Sequence, residues 1–136
     1  MAIEVINKQR LMAVPARRLA TLAEAVLKAV RRPGNSLTIA LVRDRSIRDL
    51  NRKYRGKDST TDVLSFAVSA AGDFLGDIVI STDMAARQAA DAGHPLDREL
   101  SELVIHGALH LCGYDHETDR GEMNRLELKL RRRLLD

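Results

Sequence analysis

The sequence predicts a mixed α/β fold of the α+β class, in which about five helices cover a small mixed four-stranded sheet. Strand-like segments rich in β-branched residues alternate with segments whose apolar residues recur at helical spacing. Hydrophobic residues make up 45% of the chain and charged residues 30%, as in ordinary globular proteins. The length of 136 residues suits one compact domain, so we expect residues 1–136 to form a single domain.

Each predicted strand is a short apolar or β-branched run bounded by turn-forming residues. The predicted strands are residues 3–6, 37–42, 63–68 and 75–80. Residues 69–74, with Gly72 and Asp73, have the composition of a turn. We therefore expect the last two strands to form a hairpin.

The first three predicted helices follow from apolar spacing and from residues that start or stop helices. Residues 17–31 form the first, which Pro33 and Gly34 stop. Ser46 can cap the second, which runs to about Tyr54. The third covers residues 84–92 and ends at Gly93.

The fourth predicted helix is apolar over most of its circumference, and the fifth has one apolar face. The fourth carries one stripe formed by Leu100, Leu103, Val104, Gly107, Ala108 and Leu111, with Ile105 and Leu109 nearly opposite. Such a helix is central and buried. The fifth begins near Asp119, where Glu122 completes a capping-box pattern. Its inward face consists of Met123, Leu126, Leu130 and Leu134.

Composition limits the classes of protein that need to be considered. The formal charge of +3 indicates a polyanionic partner. The single cysteine, Cys112, excludes an intrachain disulfide and indicates a reducing compartment. No secretory signal and no membrane-spanning run is visible, so we expect a cytoplasmic protein with no membrane partner. Aromatic residues are only 3% of the chain, which argues against extensive base stacking.

Three of the four histidines lie within eleven residues. His106 and His110 are four residues apart, which places both imidazoles on one face of a helix. Gly113 can adopt a positive φ, so the chain can leave the helix sharply and bring His116 back towards the other two. Three nitrogen donors with a fourth position open are typical of a catalytic zinc site. We predict one metal ion per chain on the central helix, with Zn²⁺ expected and nickel, cobalt or copper as open alternatives.

The histidine spacing also matches the metzincin protease pattern, with one difference. Gly107 stands where those proteases have their glutamate general base. The metal ligands are kept and the acid–base group is absent, which argues against peptide hydrolysis. Metal-activated water chemistry remains available.

The sequence resembles the YbeY family of metal-dependent endoribonucleases, the rRNA maturation factors, over nearly its whole length. The motif that carries the resemblance most specifically is His106-Gly107-Ala108-Leu109-His110-Leu111-Cys112-Gly113-Tyr114-Asp115-His116. Two further blocks are Tyr54-Arg55-Gly56-Lys57-Asp58 with Thr61-Asp62-Val63-Leu64-Ser65-Phe66, and Leu75-Gly76-Asp77-Ile78. Thr60 and Ala67 replace common prolines, and Cys112 replaces a common leucine; Cys112 is a further, less favoured candidate metal ligand.

The resemblance implies the fold, the activity, the partners and part of the site. It implies a zinc ion bound by His106, His110 and His116, and action on single-stranded RNA. The expected role is ribosome assembly, quality control and maturation of the 3′ end of 16S rRNA on the small ribosomal subunit. A ribosomal protein and an assembly GTPase are further candidate partners. Arg55 is the arginine of the middle block that the resemblance makes functional.

Several roles stay open at this stage. We expect Arg55 to pair with the scissile phosphate, and a solvated arginine in a basic loop is the alternative. Asp115 is our candidate catalytic carboxylate or partner of a zinc ligand, and an ordinary turn residue is the alternative. Glu102 could serve the same purpose or interact only with the helix dipole. Asp77 could face the cleft, occupy a turn or contact a partner. His94 is an ordinary loop residue.

RNA binding is expected to use the basic segment around the middle block. Its cations are Arg43, Arg45, Arg48, Arg52, Lys53, Arg55 and Lys57. Such groups neutralise phosphates with little sequence preference. A second basic cluster, Lys129 and residues 131–133, is better explained as a solvated helix end. Two rival functions are a metallopeptidase and a non-catalytic assembly factor that zinc merely stabilises.

Overall fold

The computed structural model describes residues 3–68 and 72–136. Over these residues the chain forms four strands and five helices. In chain order they are β1 (Ile3–Asn7), α1 (Ala16–Ala29), β2 (Ser36–Val42), α2 (Asp44–Arg55), β3 (Val63–Ala67), β4 (Phe74–Ser81), α3 (Thr82–Ala92), α4 (Leu96–Leu111) and α5 (Glu122–Leu135). The predicted mixed α/β fold is confirmed.

The four strands form one mixed sheet in the order β1-β2-β4-β3. β1 and β4 both run parallel to β2, whereas β3 pairs antiparallel with β4 and occupies an edge. The predicted pairing of the last two strands is therefore confirmed. The turn predicted between them includes residues 69–71, which lie outside the described residues.

The main hydrophobic core lies between one face of the sheet and the helices α1, α4 and α5. Aliphatic side chains of β2 and β4 belong to the same core cluster as those of α4, which is buried over most of its length. Leu100, Ile105 and Leu109 of α4 are fully buried, as the all-round apolar pattern predicts. The packing of these buried side chains holds in place the helix that carries His106 and His110.

A smaller cluster covers the opposite face of the sheet. Ile47 of α2 packs there against Leu64 of β3 and Val79 of β4. Helix α2 thus lies on the face of the sheet away from α4, and its last residue, Arg55, reaches the region of β3. This places the basic helix beside the edge strand.

The start of α2 differs from the prediction. The helix begins at Asp44, with Arg43 as its N-cap residue, so Ser46 lies inside the first turn and does not cap it. The carboxylate of Asp83, on α3, accepts the Asp44 backbone N–H at 2.8 Å. Asp83 therefore stabilises the N-terminus of α2 across a tertiary contact.

Two other helix starts use side-chain oxygens. Ser81 caps α3 by accepting the Met84 backbone N–H at 3.1 Å. Helix α5 begins at Glu122, three residues after the predicted position. The Asp119 carboxylate nevertheless accepts the backbone N–H groups of Gly121 and Met123, and these bonds lower the Asp119 pKa.

None of the helices described for this chain combines the length and the apolar character needed to cross a bilayer.

Candidate metal centre

Three histidines converge where α4 ends. His106 and His110 lie one turn apart on α4, and Gly113, with φ of +97°, turns the chain so that His116 approaches them. One ring nitrogen from each histidine lies within 4.8 Å of the others. The Nε2 atoms of His106 and His110 are 3.2 Å apart. The predicted convergence of the three rings is therefore present.

The donor set fits a single metal ion. Tetrahedral zinc with nitrogen ligands at about 2.0–2.1 Å requires the nitrogens to lie about 3.3 Å apart. The Nε2–Nε2 distance of 3.2 Å matches this requirement. All three donors are imidazoles, which suit zinc and also nickel, cobalt or copper. The cluster can therefore bind a metal ion.

Histidine must be neutral to bind a metal ion. Burial lowers the pKa of His110, and the neighbouring rings of His106 and His116 lower it further. The half-buried position of this histidine thus favours the form that has a free nitrogen lone pair at neutral pH.

The side of His106 away from the cluster is held by an acid that the sequence analysis missed. Glu127, on α5, accepts a hydrogen bond from His106 Nδ1 at 2.8 Å. Burial raises the Glu127 pKa, but hydrogen bonds from His106 and Arg131 outweigh this effect and leave it lowered. The sequence contains one indication of this role: Glu127 lies four residues after Met123, so it falls on the inward face of α5.

The cluster opens into a cleft with a volume of about 470 Å³. Edge strand β3 contributes Val63 and Ser65 to its lining, and the segment 113–117 contributes Tyr114 and Asp115. Arg55 also lines the cleft, although it is separated from the first histidine by about fifty positions in the sequence. The fold thus combines nitrogen donors, a cation and a carboxylate around one open space.

Gly107 lies on the side of α4 that packs directly against the sheet. A side chain at this position would collide with Ile78 of β4. The position that holds the general base in the protease pattern therefore faces a packed core, away from the cleft. This packing disfavours the metallopeptidase alternative on structural grounds.

Comparison with known proteins agrees with this architecture. The profile of the family described as Endoribonuclease YbeY matches residues 4–135. The chain belongs to the YbeY family. Membership confirms the resemblance seen in the histidine motif and the predicted enzyme class, an endoribonuclease.

Several relatives carry the name Endoribonuclease YbeY. The protein from Geobacter sulfurreducens is 41% identical over 96% of this chain and 92% of its own length. The one from Koribacter versatilis is 43% identical over 96% of this chain and 84% of its own length. A relative from an Anaeromyxobacter species is 50% identical over 86% of this chain, and that match spans 64% of the relative.

A solved structure shares the fold. The solution structure of TM1509 from Thermotoga maritima matches with a TM-score of 0.64 and 29% sequence identity. The match covers 94% of this chain and 85% of that protein. The mixed sheet and its helices are therefore found in an experimentally determined relative.

The structure identifies the hydrogen-bond partners of two acids near the YbeY motif. Asp115 is exposed, and its Oδ1 accepts the Glu117 backbone N–H at 3.0 Å, as in the turn alternative. Within the described residues Glu102 forms no hydrogen bond or ion pair with a histidine; its carboxylate pairs with Arg98 and Arg131. The structure does not show the alternative in which Glu102 partners a histidine of the cluster, because Glu127 of α5 makes that contact with His106.

Asp77, from the third YbeY block, does not line the histidine cleft. It lies on the opposite face of the sheet, in a separate groove that Tyr54 and Leu50 of α2 also line. Thr38 of the neighbouring strand donates a hydrogen bond to its carboxylate. The alternative in which Asp77 faces the cleft is therefore wrong.

The remaining candidates also have clear surroundings. Cys112 is buried and lines a small separate pocket with Arg32, and burial raises the pKa of its thiol. A protonated thiol is a poor ligand, and the described histidine cluster does not include it. His94 lies 2.7 Å from a Glu99 carboxylate oxygen, which ties the loop after α3 to α4.

Proposed function

We propose that this protein is a zinc-dependent endoribonuclease that cleaves single-stranded RNA. The observation that carries the proposal is the three-histidine cluster at the base of a cleft that Arg55 also lines. His106, His110 and His116 are the proposed ligands of one zinc ion per chain. Family membership supports the reaction, and the open cleft supports a polymeric substrate.

The bound ion would supply Lewis-acid chemistry, polarising a phosphoryl oxygen and making a water molecule easier to deprotonate. Arg55 is proposed to pair with the scissile phosphate. Its planar guanidinium donates two parallel hydrogen bonds, a geometry that lysine lacks. The same cation would offset the extra negative charge that develops in the transition state.

Asp115 is the proposed proton acceptor. It lines the cleft, and its hydrogen bond to Glu117 uses Oδ1. Its Oδ2 makes no hydrogen bond within residues 3–68 and 72–136. An exposed carboxylate next to a proposed zinc ligand can take a proton from water without unfolding any local structure.

Helix α2 is proposed to bind the RNA backbone on one side of the cleft. Of its expected cations, Arg43, Arg48 and Arg52 form ion pairs with Asp83, Asp58 and Asp49. Arg45, Lys53 and Lys57 form no ion pair within the described part of the chain. These three, with Arg55, remain the strongest candidates for phosphate contacts.

The biological substrate we propose is 16S rRNA, cut near its 3′ end during assembly and quality control of the small ribosomal subunit. This proposal rests on family membership. Selectivity would come from placement on the ribosome, because phosphate contacts carry no sequence information. A ribosomal protein and an assembly GTPase are candidate recruiting partners. Such a role requires the protein in the cytoplasm, the compartment we propose for it.

The experiment is cleavage of a labelled single-stranded fragment containing the 3′ end of 16S rRNA by purified protein. We expect wild-type cleavage that a chelator abolishes, no cleavage by His110→Ala, and a loss on the order of 100-fold for Arg55→Ala. Arg55→Lys should cleave RNA little faster than Arg55→Ala. The Arg55→Ala variant should bind zinc as wild type does. The matched control is Arg52→Ala, which removes an ion-paired arginine from the same helix.

Two outcomes would contradict the proposal. Equal cleavage by all the preparations would identify a contaminating nuclease. No cleavage of naked RNA or of purified small subunits by folded, zinc-loaded wild-type protein would favour the non-catalytic assembly factor. In that case the histidine variants should lose stability and ribosome association together.

A further inference from the structure

Glu127 is a buried acid with no role in the proposed reaction. Its side chain is 9% exposed, although it carries a carboxylate. Burying an acid is costly unless hydrogen bonds and opposite charges compensate for the lost water. Both carboxylate oxygens are used: Oε1 accepts from His106 Nδ1 at 2.8 Å, and Oε2 accepts from Arg131.

We infer that Glu127 is the positioning residue of the metal centre. The inference rests on the proposed function, in which His106 is a metal ligand. An ionised carboxylate only accepts hydrogen bonds, so the proton of His106 must be on Nδ1, the nitrogen that faces Glu127. The lone pair is then on Nε2, the nitrogen that lies 3.2 Å from His110 Nε2. Glu127 thereby selects both the tautomer and the ring orientation that a metal requires.

Four side chains of alternating charge form a ladder that holds Glu127 in place: Arg98, Glu102, Arg131 and Glu127. Arg131, one turn further along α5, contacts both Glu127 and Glu102. Glu102 in turn accepts a hydrogen bond from Arg98 at 2.8 Å. Arg98, Glu102 and His106 are successive turns of one face of α4.

The ladder compensates the charge of both buried carboxylates. Each of its carboxylates pairs with a guanidinium on the same helix or on the facing helix, so neither Glu127 nor Glu102 is left as an isolated buried charge. Helix α5 therefore does more than cover the core. It carries the acid that fixes the first histidine, 21 residues earlier in the sequence.

The test is metal affinity, measured by competition with a chromophoric chelator, together with the visible absorption spectrum of the Co²⁺-substituted protein. We expect Glu127→Gln to weaken zinc binding about tenfold and Glu127→Ala up to about 100-fold. Gln keeps an acceptor oxygen but loses the charge, so its effect is the smaller one. The Co²⁺ bands of Glu127→Gln should shift, because the basicity of His106 changes.

Glu122→Gln is the matched control, because it makes the same substitution at the exposed start of the same helix. It should leave affinity and spectrum unchanged. The inference is overturned if Glu127→Gln binds zinc as tightly as wild type with an unchanged Co²⁺ spectrum. It is also overturned if Glu127→Ala lowers the melting temperature of the metal-free protein but leaves zinc affinity and the Co²⁺ spectrum unchanged.

The same measurement separates failure of the inference from failure of the proposed function. If His106→Ala binds zinc as tightly as wild type, the proposed ligand set itself is wrong. If His106→Ala loses zinc and Glu127→Gln does not, only the positioning role of Glu127 fails. The isosteric Gln variant keeps the test valid even where Glu127→Ala does not fold.

Discussion

A Cβ atom added to Gly107 would lie 2.7 Å from Cγ2 of Ile78. Two further atoms of Ile78 would lie within 3.2 Å, and Ile78 is fully buried in the centre of the sheet. Helix α4 can therefore approach β4 closely only because residue 107 has no side chain. The close approach fixes the height of α4 above the sheet, and with it the positions of His106 and His110.

Gly107→Ala is expected to destabilise the protein. Overpacking a core costs about 1–3 kcal/mol, whereas alanine regains about 1 kcal/mol of helix propensity over glycine. We expect a net loss on the order of 1 kcal/mol in the free energy of unfolding, measured by urea denaturation. Adding Ile78→Val should recover part of the loss. If Gly107→Ala is instead more stable than wild type, the Ile78 side chain can move aside without cost.

Metal removal should leave the protein folded, because the buried apolar residues of α4 and not the histidines hold the helix. Zinc at 100 times its dissociation constant should add about 2.7 kcal/mol to the stability of the wild-type protein. The same zinc should add little to His116→Ala, whose altered residue is exposed. Calorimetric melting with and without chelator measures both effects. Unfolding on chelation would instead support a purely structural metal.

Asp58→Asn should strengthen RNA binding. Asp58 accepts a hydrogen bond from Arg48 at 2.8 Å, which engages a cation of α2 and lowers the Asp58 pKa. Freeing Arg48 for one more phosphate contact should steepen the dependence of log affinity on log salt by about 0.7 for single-stranded RNA. Fluorescence anisotropy at several salt concentrations measures this slope.

The control for that prediction is Asp91→Asn on α3, which changes the net charge by the same amount at an exposed position. An equal change in slope for both variants would assign the effect to overall charge and not to Arg48.

Asp44 should make stability depend on pH in the acid range. Burial raises its pKa, but hydrogen bonds from Ser81, Arg87 and Thr60 outweigh this and leave the pKa lowered. Its contribution is therefore complete above the unfolded pKa of about 3.9 and is lost as pH falls through the lower folded pKa. Asp44→Asn should lose about 1 kcal/mol at pH 7 and show a shallower acid decline.

Urea unfolding at pH 7, 5, 4 and 3 measures that decline. If wild type and Asp44→Asn lose stability in parallel between pH 5 and pH 3, the hydrogen-bond network around Asp44 does not lower its pKa.

Local patterns in the sequence predicted most of the fold and the histidine cluster. His106, His110 and His116 lie within eleven residues, so helix geometry and one glycine turn suffice to bring them together. The four strands and the helices α1 and α3 were located to within two residues at both ends. The start of α2 was misplaced because Asp83, the acid that accepts the Asp44 backbone N–H, comes from another helix.

The parts that sequence did not reveal depend on packing between distant elements. Glu127 meets His106 only because α5 lies against α4, a relationship that no local spacing encodes. Asp77 was considered for the cleft, but the alternation of side chains along β4 directs it to the opposite face of the sheet. The expected roles of Arg55 and Asp115 remain predictions.

The central claim is that one metal ion at the histidine cluster drives RNA cleavage. The most direct measurement is a titration of zinc into chelator-treated protein while the rate of cleavage of the labelled single-stranded rRNA fragment is followed. We predict a linear rise that reaches a plateau at one zinc ion per chain, and no rise for His110→Ala. Cleavage that persists without metal, or that returns equally in His110→Ala, would contradict the account.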